Sequence, residues 1–333
     1  MTPFADTLKR LQANWAQRSG LAAYLEWSHG RPWVLAEEHR KRNLHREEWW
    51  RHIEGREHRW ARALNSSQCF AVNLFAPLAD DAQAANAFLR RMLPHRDLAE
   101  GDRVEVGFEH SPPGIAEQLG ERGQPTQIDV FFRVSNERGM CGAIGVEVKL
   151  SEREFGVCRG WAGAHDQVPI NPGRERCLDA RALLAAPGRQ CFMAEHEGRT
   201  YWDLMLRPDS SFDLQCLGPQ DRCPFRHGLY QLMRNRISLD VLRSVEDLDF
   251  CDFVVCAHAG NLDARQLPEA VLGELGTIEA FRRLVRPGSA LEWDAHAVLE
   301  AVVEAGAAPP DWADWMRSKY LLESATADST EWR

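Results

Sequence analysis

The chain has 333 residues, 44% of them apolar and 27% charged, with a net charge of -9. This composition excludes a collagenous, coiled-coil or disordered chain and is long enough for two domains, or one large one with extensions. The negative balance excludes a uniformly basic nucleic-acid coat but leaves room for a local basic groove.

The first 44 residues read as an N-terminal helical extension, with a helix near 4–26 and a loop at Gly30-Arg31-Pro32. A long helix is expected from His45 to Leu64, its apolar stripe running Trp49/Trp50, Ile53, Trp60/Ala61 and Leu64 at helical spacing. Residues 39–62 carry eight Arg or Lys against four Glu, and Glu57 falls inside the stripe. Asn65-Ser66-Ser67 reads as the end of that helix, and a further helix is expected over 81–93. Residues 103–108 alternate at period two and read as a strand.

Two alternating segments follow, 127–134 and 143–150, joined by a polar, glycine-containing turn from Ser135 to Gly142. They predict a hairpin with Ile128, Val130, Phe132 and Val134 on one face. A second hairpin is expected from 190–196 and 200–206. Pro224 to Leu242 reads as helix, and 250–257 as a doubly buried strand. Helices are expected through most of 268–323. The domain reading is an extension over 1–44, a core over 45–260, a helical region over 261–325 and a tail over 326–333.

Chemistry concentrates on the first hairpin. Glu147 and Lys149 point away from Ile144, Val146 and Val148, and Asp129 points away from Ile128 and Val130. A turn centred near 138 or 139 sets Asp129 opposite Glu147 or Lys149. Lysine is rare here, with only Lys9, Lys41, Lys149 and Lys319 among 40 basic residues. Two carboxylates side by side repel, and a hard divalent ion with oxygen ligands relieves the repulsion.

The pattern Asp129, then Glu147-Val148-Lys149, resembles the PD-(D/E)XK, or restriction-endonuclease-like, nuclease superfamily. The order helix, strand, hairpin, helix, strand is also similar. More closely, Asn65 to Phe75, Val146 to Glu152 and Phe225 to Asn235 resemble bacterial proteins regarded as restriction endonucleases in this superfamily. One departure is that Ile128, not proline, precedes the aspartate; Pro125 stands four positions back. The resemblance implies an α/β fold with a mixed sheet flanked by helices and a helical C-terminal extension. It implies Mg²⁺ or Mn²⁺ held by Asp129, Glu147 and the Val148 carbonyl, with Lys149 orienting or activating water. By the same resemblance, Glu57 completes the site, while Gln231 and Arg234 hold substrate or Lys149.

The resemblance also offers Cys158, Cys177, Cys216 and Cys223 as zinc or iron–sulfur ligands, since some members of the superfamily hold such a group. The chain has no C-x-x-C, which favours core thiols. The histidines at 39, 45, 52 and 58 lack the i, i+4 spacing of a zinc helix. No window reaches the ~18 apolar residues of a membrane span, and the N-terminus lacks a signal-peptide core. The expectation is a cytoplasmic, metal-dependent DNA endonuclease of restriction or defence type, possible as a homodimer and without a membrane partner. The alternatives are a catalytically silent nucleic-acid-binding or protein-interaction module on the same fold, or an RNA-directed phosphodiesterase.

Overall fold

The computed structural model describes residues 4–27, 30–123, 125–137, 139–162 and 171–322; the expected tail at 326–333 lies outside them. Helix α1 (Phe4–Arg18) leads into a ribbon of β1 (Leu25–Glu26) and β2 (Arg31–Leu35). Two 3-10 helices, Glu37–Asn43 and Glu47–His52, precede α2 (Ser67–Ala79) and α3 (Ala82–Met92). Then come β3 (Arg103–His110), α4 (Ile115–Gln118), β4 (Ile128–Ser135) and β5 (Cys141–Lys149). Four short helices follow: α5 (Ala180–Ala185), α6 (Pro187–Gln190), α7 (Phe192–Glu195) and α8 (Tyr201–Met205). The long helix α9 (Tyr230–Val245) returns the chain to β6 (Phe250–Ala257). A ribbon of β7 (Gln266–Val271) and β8 (Glu274–Gly276) is followed by α10 (Thr277–Leu284), β9 (Leu291–Asp294), α11 (Ala295–Glu304) and α12 (Trp312–Tyr320).

The fold is α/β, with a five-stranded mixed sheet in the order β3-β4-β5-β6-β9. The β3-β4-β5 meander is antiparallel, and β5, β6 and β9 run parallel. All eight residues of β6 are buried, as a central strand covered on both faces requires. One face packs on α2, α3, α11 and α12 through Val130, Phe132, Val146 and Val254. The other packs on α9 and α10 through Ala143, Phe253 and Val255. Gly145 lets α9 close in, because a Cβ there would meet Leu239 at 2.9 Å. This arrangement matches the restriction-endonuclease-like core expected from the hairpin and its flanking elements. No helix among the described residues is long and apolar enough to cross a membrane.

Five local expectations are corrected. The helix expected over 45–64 is absent. Trp49, Trp50 and Ile53 are buried as the stripe requires, but on a 3-10 turn, and Gly55 at φ +77° breaks any helical continuation. Asn65-Ser66-Ser67 opens a helix instead of closing one, since the Ser66 side chain caps α2 by accepting from the Cys69 N–H. The second hairpin is absent too: 187–205 forms α6, α7 and α8, with Pro187 at a helix start and Gly198 turning at φ +68°. The region read as helical over 268–323 also supplies β9, an edge strand of the main sheet. Ile128, expected beside Val130 and Phe132, packs instead with the α9-side core.

The C-terminal helix is pinned by a buried lysine. Lys319 Nζ donates to the backbone carbonyl and side-chain oxygen of Asn43, at 2.5 and 2.7 Å. Its ammonium lies 4.6–5.4 Å from the ring centres of Trp15, Trp315 and Tyr320. Burial lowers its pKa to about 7.

Phe132 stands at the middle of the larger core, fully buried and 5.9 Å from the ring centres of both Phe75 and Phe88. Truncating such a ring removes its burial energy and leaves a cavity. Phe132→Ala is expected to cost about 3–5 kcal/mol in denaturant titration, with an unchanged m-value. A loss below about 1 kcal/mol contradicts this account of the core.

Candidate active site

The hairpin register sets the site. Val130 pairs with Val146, and one step further Asp129 Oδ2 accepts the Val148 N–H at 2.7 Å. The aspartate thus satisfies a β5 amide just where the ladder with β4 ends. Glu147, next along β5, is fully buried. Its Oε1 lies 2.7 Å from Lys149 Nζ, and its Oε2 accepts from Asn235 Nδ2 at 2.5 Å. Lys149 Nζ also donates to Gln231 Oε1 at 3.0 Å. Gln231 and Asn235 are one turn apart on α9, so a single helical face holds both members of the ion pair.

A third carboxylate belongs to the cluster. Glu109, at the end of β3, is buried and takes a left-handed backbone with φ +47°. Non-glycine residues seldom hold that conformation without support from their surroundings. Here the Arg56 guanidinium donates to the carbonyls of Phe108 and Glu109, at 2.9 and 3.0 Å. Glu109 Oε1 accepts from Gln68 Nε2 of α2 at 2.8 Å. Its Oε2 is buried without a hydrogen-bond partner, with His58 Nε2 3.8 Å away.

The electrostatics follow from this crowding. Burial, then the charge of Glu147, raises the Asp129 pKa well above the usual carboxylate range. Burial also raises that of Glu109, against the opposing pull of Gln68 and His58. Burial works against the Lys149 ammonium, but Glu147, Glu152 and Asp129 outweigh it and hold its pKa above the ordinary lysine value.

Two cavities meet here. One, of about 520 Å³, is lined by Asp129, Lys149 and Gln231 and extends to Arg31, Trp33 and Trp60. The other, of about 440 Å³, is lined by Glu109, Asp129 and Gln231 and extends to Arg159, Arg199 and Arg234. His58 lines both.

Of the residues singled out in the sequence, Asp129, Glu147, Val148, Lys149 and Gln231 come together. Arg234 lines the second cavity, but its guanidinium binds Glu121 at 2.9 Å and Thr126 at 3.1 Å, not Lys149. Glu57 is not brought to the cluster: it accepts from the Trp50 indole at 3.1 Å, because the helix meant to carry it does not form. Glu109, Gln68 and Asn235 were missed. Asn235 carried the clearest signal, four positions after Gln231 on the same expected helix. Among the cysteines weighed as ligands, Cys158, Cys177 and Cys223 are buried, and the exposed Cys216 thiol is bonded to the carbonyls of Asp213 and Arg283.

Among the described residues, no three His, Cys, Asp or Glu side chains form a ready-made metal cage. The acidic cluster nonetheless suits a hard cation. Its donors are all oxygen, Asp129 and Glu147 repel, and Glu109 keeps an unpartnered buried oxygen. Such an ion needs only one or two carboxylates, with water and phosphate completing its shell.

Both Asp129 and Glu109 bind a proton more tightly in the folded chain than in the unfolded one. Their contribution to the stability of the metal-free protein is therefore full near and below the unfolded carboxylate pKa of about 4. It is lost as pH rises through the raised folded values. In thermal melts in EDTA, Asp129→Asn is expected to raise Tm at pH 7 by about 2–4 °C and to flatten its pH dependence. A lower Tm with the slope unaltered contradicts a strained acidic cluster.

No curated protein and no solved structure matches this chain. A family model described as "Restriction Endonuclease associating with ARP" matches residues 22–321, from just before β1 to just past α12. With nine-tenths of its length matched, and with its sheet, hairpin and flanking helices in the expected order, the chain belongs to this restriction-endonuclease family.

Proposed function

We propose that the chain is a metal-dependent nuclease that hydrolyses phosphodiester bonds, with DNA as its substrate and defence as its setting. The supporting observation is the buried Glu147–Lys149 pair beside Asp129, at the junction of two open cavities. Asp129, Glu147 and the Val148 carbonyl would hold Mg²⁺ or Mn²⁺. The ion supplies Lewis-acid polarisation of a phosphoryl oxygen and a more acidic water.

The chain's own residues do the rest. In the metal-free chain three carboxylates, Glu147, Glu152 and Asp129, favour the Lys149 ammonium. Beside the ion it would orient or activate the attacking water and steady charge developing on the phosphate. Gln231 fixes the Nζ position, and Asn235 fixes the glutamate. The N-terminal turn of α2, at Ser66, Ser67 and Gln68, borders the first cavity, where its positive end favours a phosphate. Family membership favours DNA over RNA. One site cuts one strand, so duplex cleavage calls for a second copy of the chain.

The test incubates purified protein with supercoiled plasmid and with single-stranded DNA, in Mg²⁺, Mn²⁺ or EDTA. We expect metal-dependent cleavage that falls by about 100-fold or more in Asp129→Asn, Glu147→Gln and Lys149→Ala. Glu57→Ala is expected to stay within about twofold of the parent, as for a residue outside the reacting centre. Folded protein that cuts neither DNA in either metal overturns the proposal, as does cleavage that survives all three substitutions.

A further inference from the structure

The two cavities differ in chemistry. In the second, each arginine already faces a carboxylate: Arg159 pairs with Glu197 at 2.9 Å, Arg234 with Glu121 at 2.9 Å, and Arg199 lies 3.8 Å from Glu197. In the first, among the described residues, Arg31 has no carboxylate partner and Lys9 has only an exposed contact to Asp6 at 3.5 Å; Arg59, also without a carboxylate partner, does not line the cavity but flanks its Trp60. Both guanidinium groups gather around one indole, with Arg31 and Arg59 5.5 and 5.0 Å from the ring centre of Trp60. Lys9 stands 5.4 Å from that of Trp33. Trp60 is 43% exposed, whereas Trp49, Trp50 and Trp312 are fully buried. A large aromatic ring left in water, framed by uncompensated cations on a chain of net charge -9, is not explained by packing.

Indoles with arginines and a lysine beside them form the usual platform for an unstacked base and its phosphates. Bases inside a duplex have no free face to offer. The cavity opens directly onto Asp129, Lys149 and Gln231, so a base seated there adjoins the phosphate at the reacting centre.

We propose that the Trp33–Trp60 cavity is a subsite for one unpaired nucleobase next to the scissile phosphate, with Arg31, Arg59 and Lys9 neutralising its backbone. This deepens, and rests on, the nuclease reading above. The substrate is thereby a single strand, or a duplex already unpaired at that point.

Two measurements separate the subsite from the chemistry. The first is fluorescence anisotropy with a labelled single-stranded oligonucleotide and its duplex, in EDTA. The parent protein should bind the single strand more tightly. Trp60→Ala should weaken that binding about 5- to 100-fold, Trp60→Phe should restore most of it, and duplex binding should not change. The second is cleavage of oligonucleotides carrying one abasic position at successive places. At one position beside the cut, the abasic substrate should slow the parent by a similar factor while costing Trp60→Ala nothing further. If Trp60→Ala binds single strands as the parent does, or if duplex is preferred, the subsite is wrong whether or not DNA is cut. The subsite is equally wrong if cleavage occurs but no abasic position is tolerated better by the variant. If binding behaves as expected and no cleavage occurs in any metal, the subsite stands and the nuclease reading fails.

Discussion

A carboxylate with no exposure and an ammonium with almost none lie 2.7 Å apart at the end of β5. Charges removed from water are costly, and the attraction within a pair repays the loss only when the remaining donors and acceptors are also satisfied. Much of the surrounding structure meets that requirement. Helix α9 brings Asn235 to the glutamate and Gln231 to the lysine. It reaches them because β5 carries Ala143 and Gly145 beneath it, leaving room for Leu239. Strand β6 holds β5 from the other side through a parallel ladder that ends opposite Lys149. Placing the ion pair therefore fixes how close the helix packs and which small residues the sheet can use.

The same cluster is poorly balanced. Asp129 and Glu109 add negative charge that one lysine does not offset, and Glu109 is held in an unfavourable backbone conformation with an unpartnered oxygen. A chain folded for stability alone would replace these groups with apolar ones. Their retention fits a site that accepts stability loss for the sake of binding positive charge.

The hairpin was legible because both its signals are local. Period-two alternation fixes the strands, and the turn centre fixes which residues face each other; Asp129, Glu147 and Lys149 follow from arithmetic. Gln231 was legible through the resemblance, on a helix that the apolar spacing of 224–242 predicts. Glu57 was lost because burial and helicity are separable: Trp49 and Trp50 bury as expected on a 3-10 turn, and Gly55 ends the helical possibility. Glu109 was illegible because its place depends on a left-handed backbone at a strand end, which alternation does not encode. Strand β9 is only four residues long, too short to show a period. Lys319 is a useful contrast. It is as rare a residue as Lys149 and as deeply buried, yet its partners are an asparagine and aromatic rings, so rarity alone does not mark chemistry.

The connection between β5 and α9 has a consequence for how the molecule comes into being. Asp129 and Glu147 sit on neighbouring strands of a hairpin, which can form early because its contacts are close in sequence. The partners of the ion pair are 82 and 88 positions further along the chain. Until α9 arrives, the charged end of β5 is open to water, where its glutamate and lysine are well solvated and the strand's other edge is unpaired. Burying the pair thus waits on contacts distant in sequence. During synthesis the chain displays an unfinished sheet edge through that interval, and the candidate site is complete only once the polypeptide has returned to cover it.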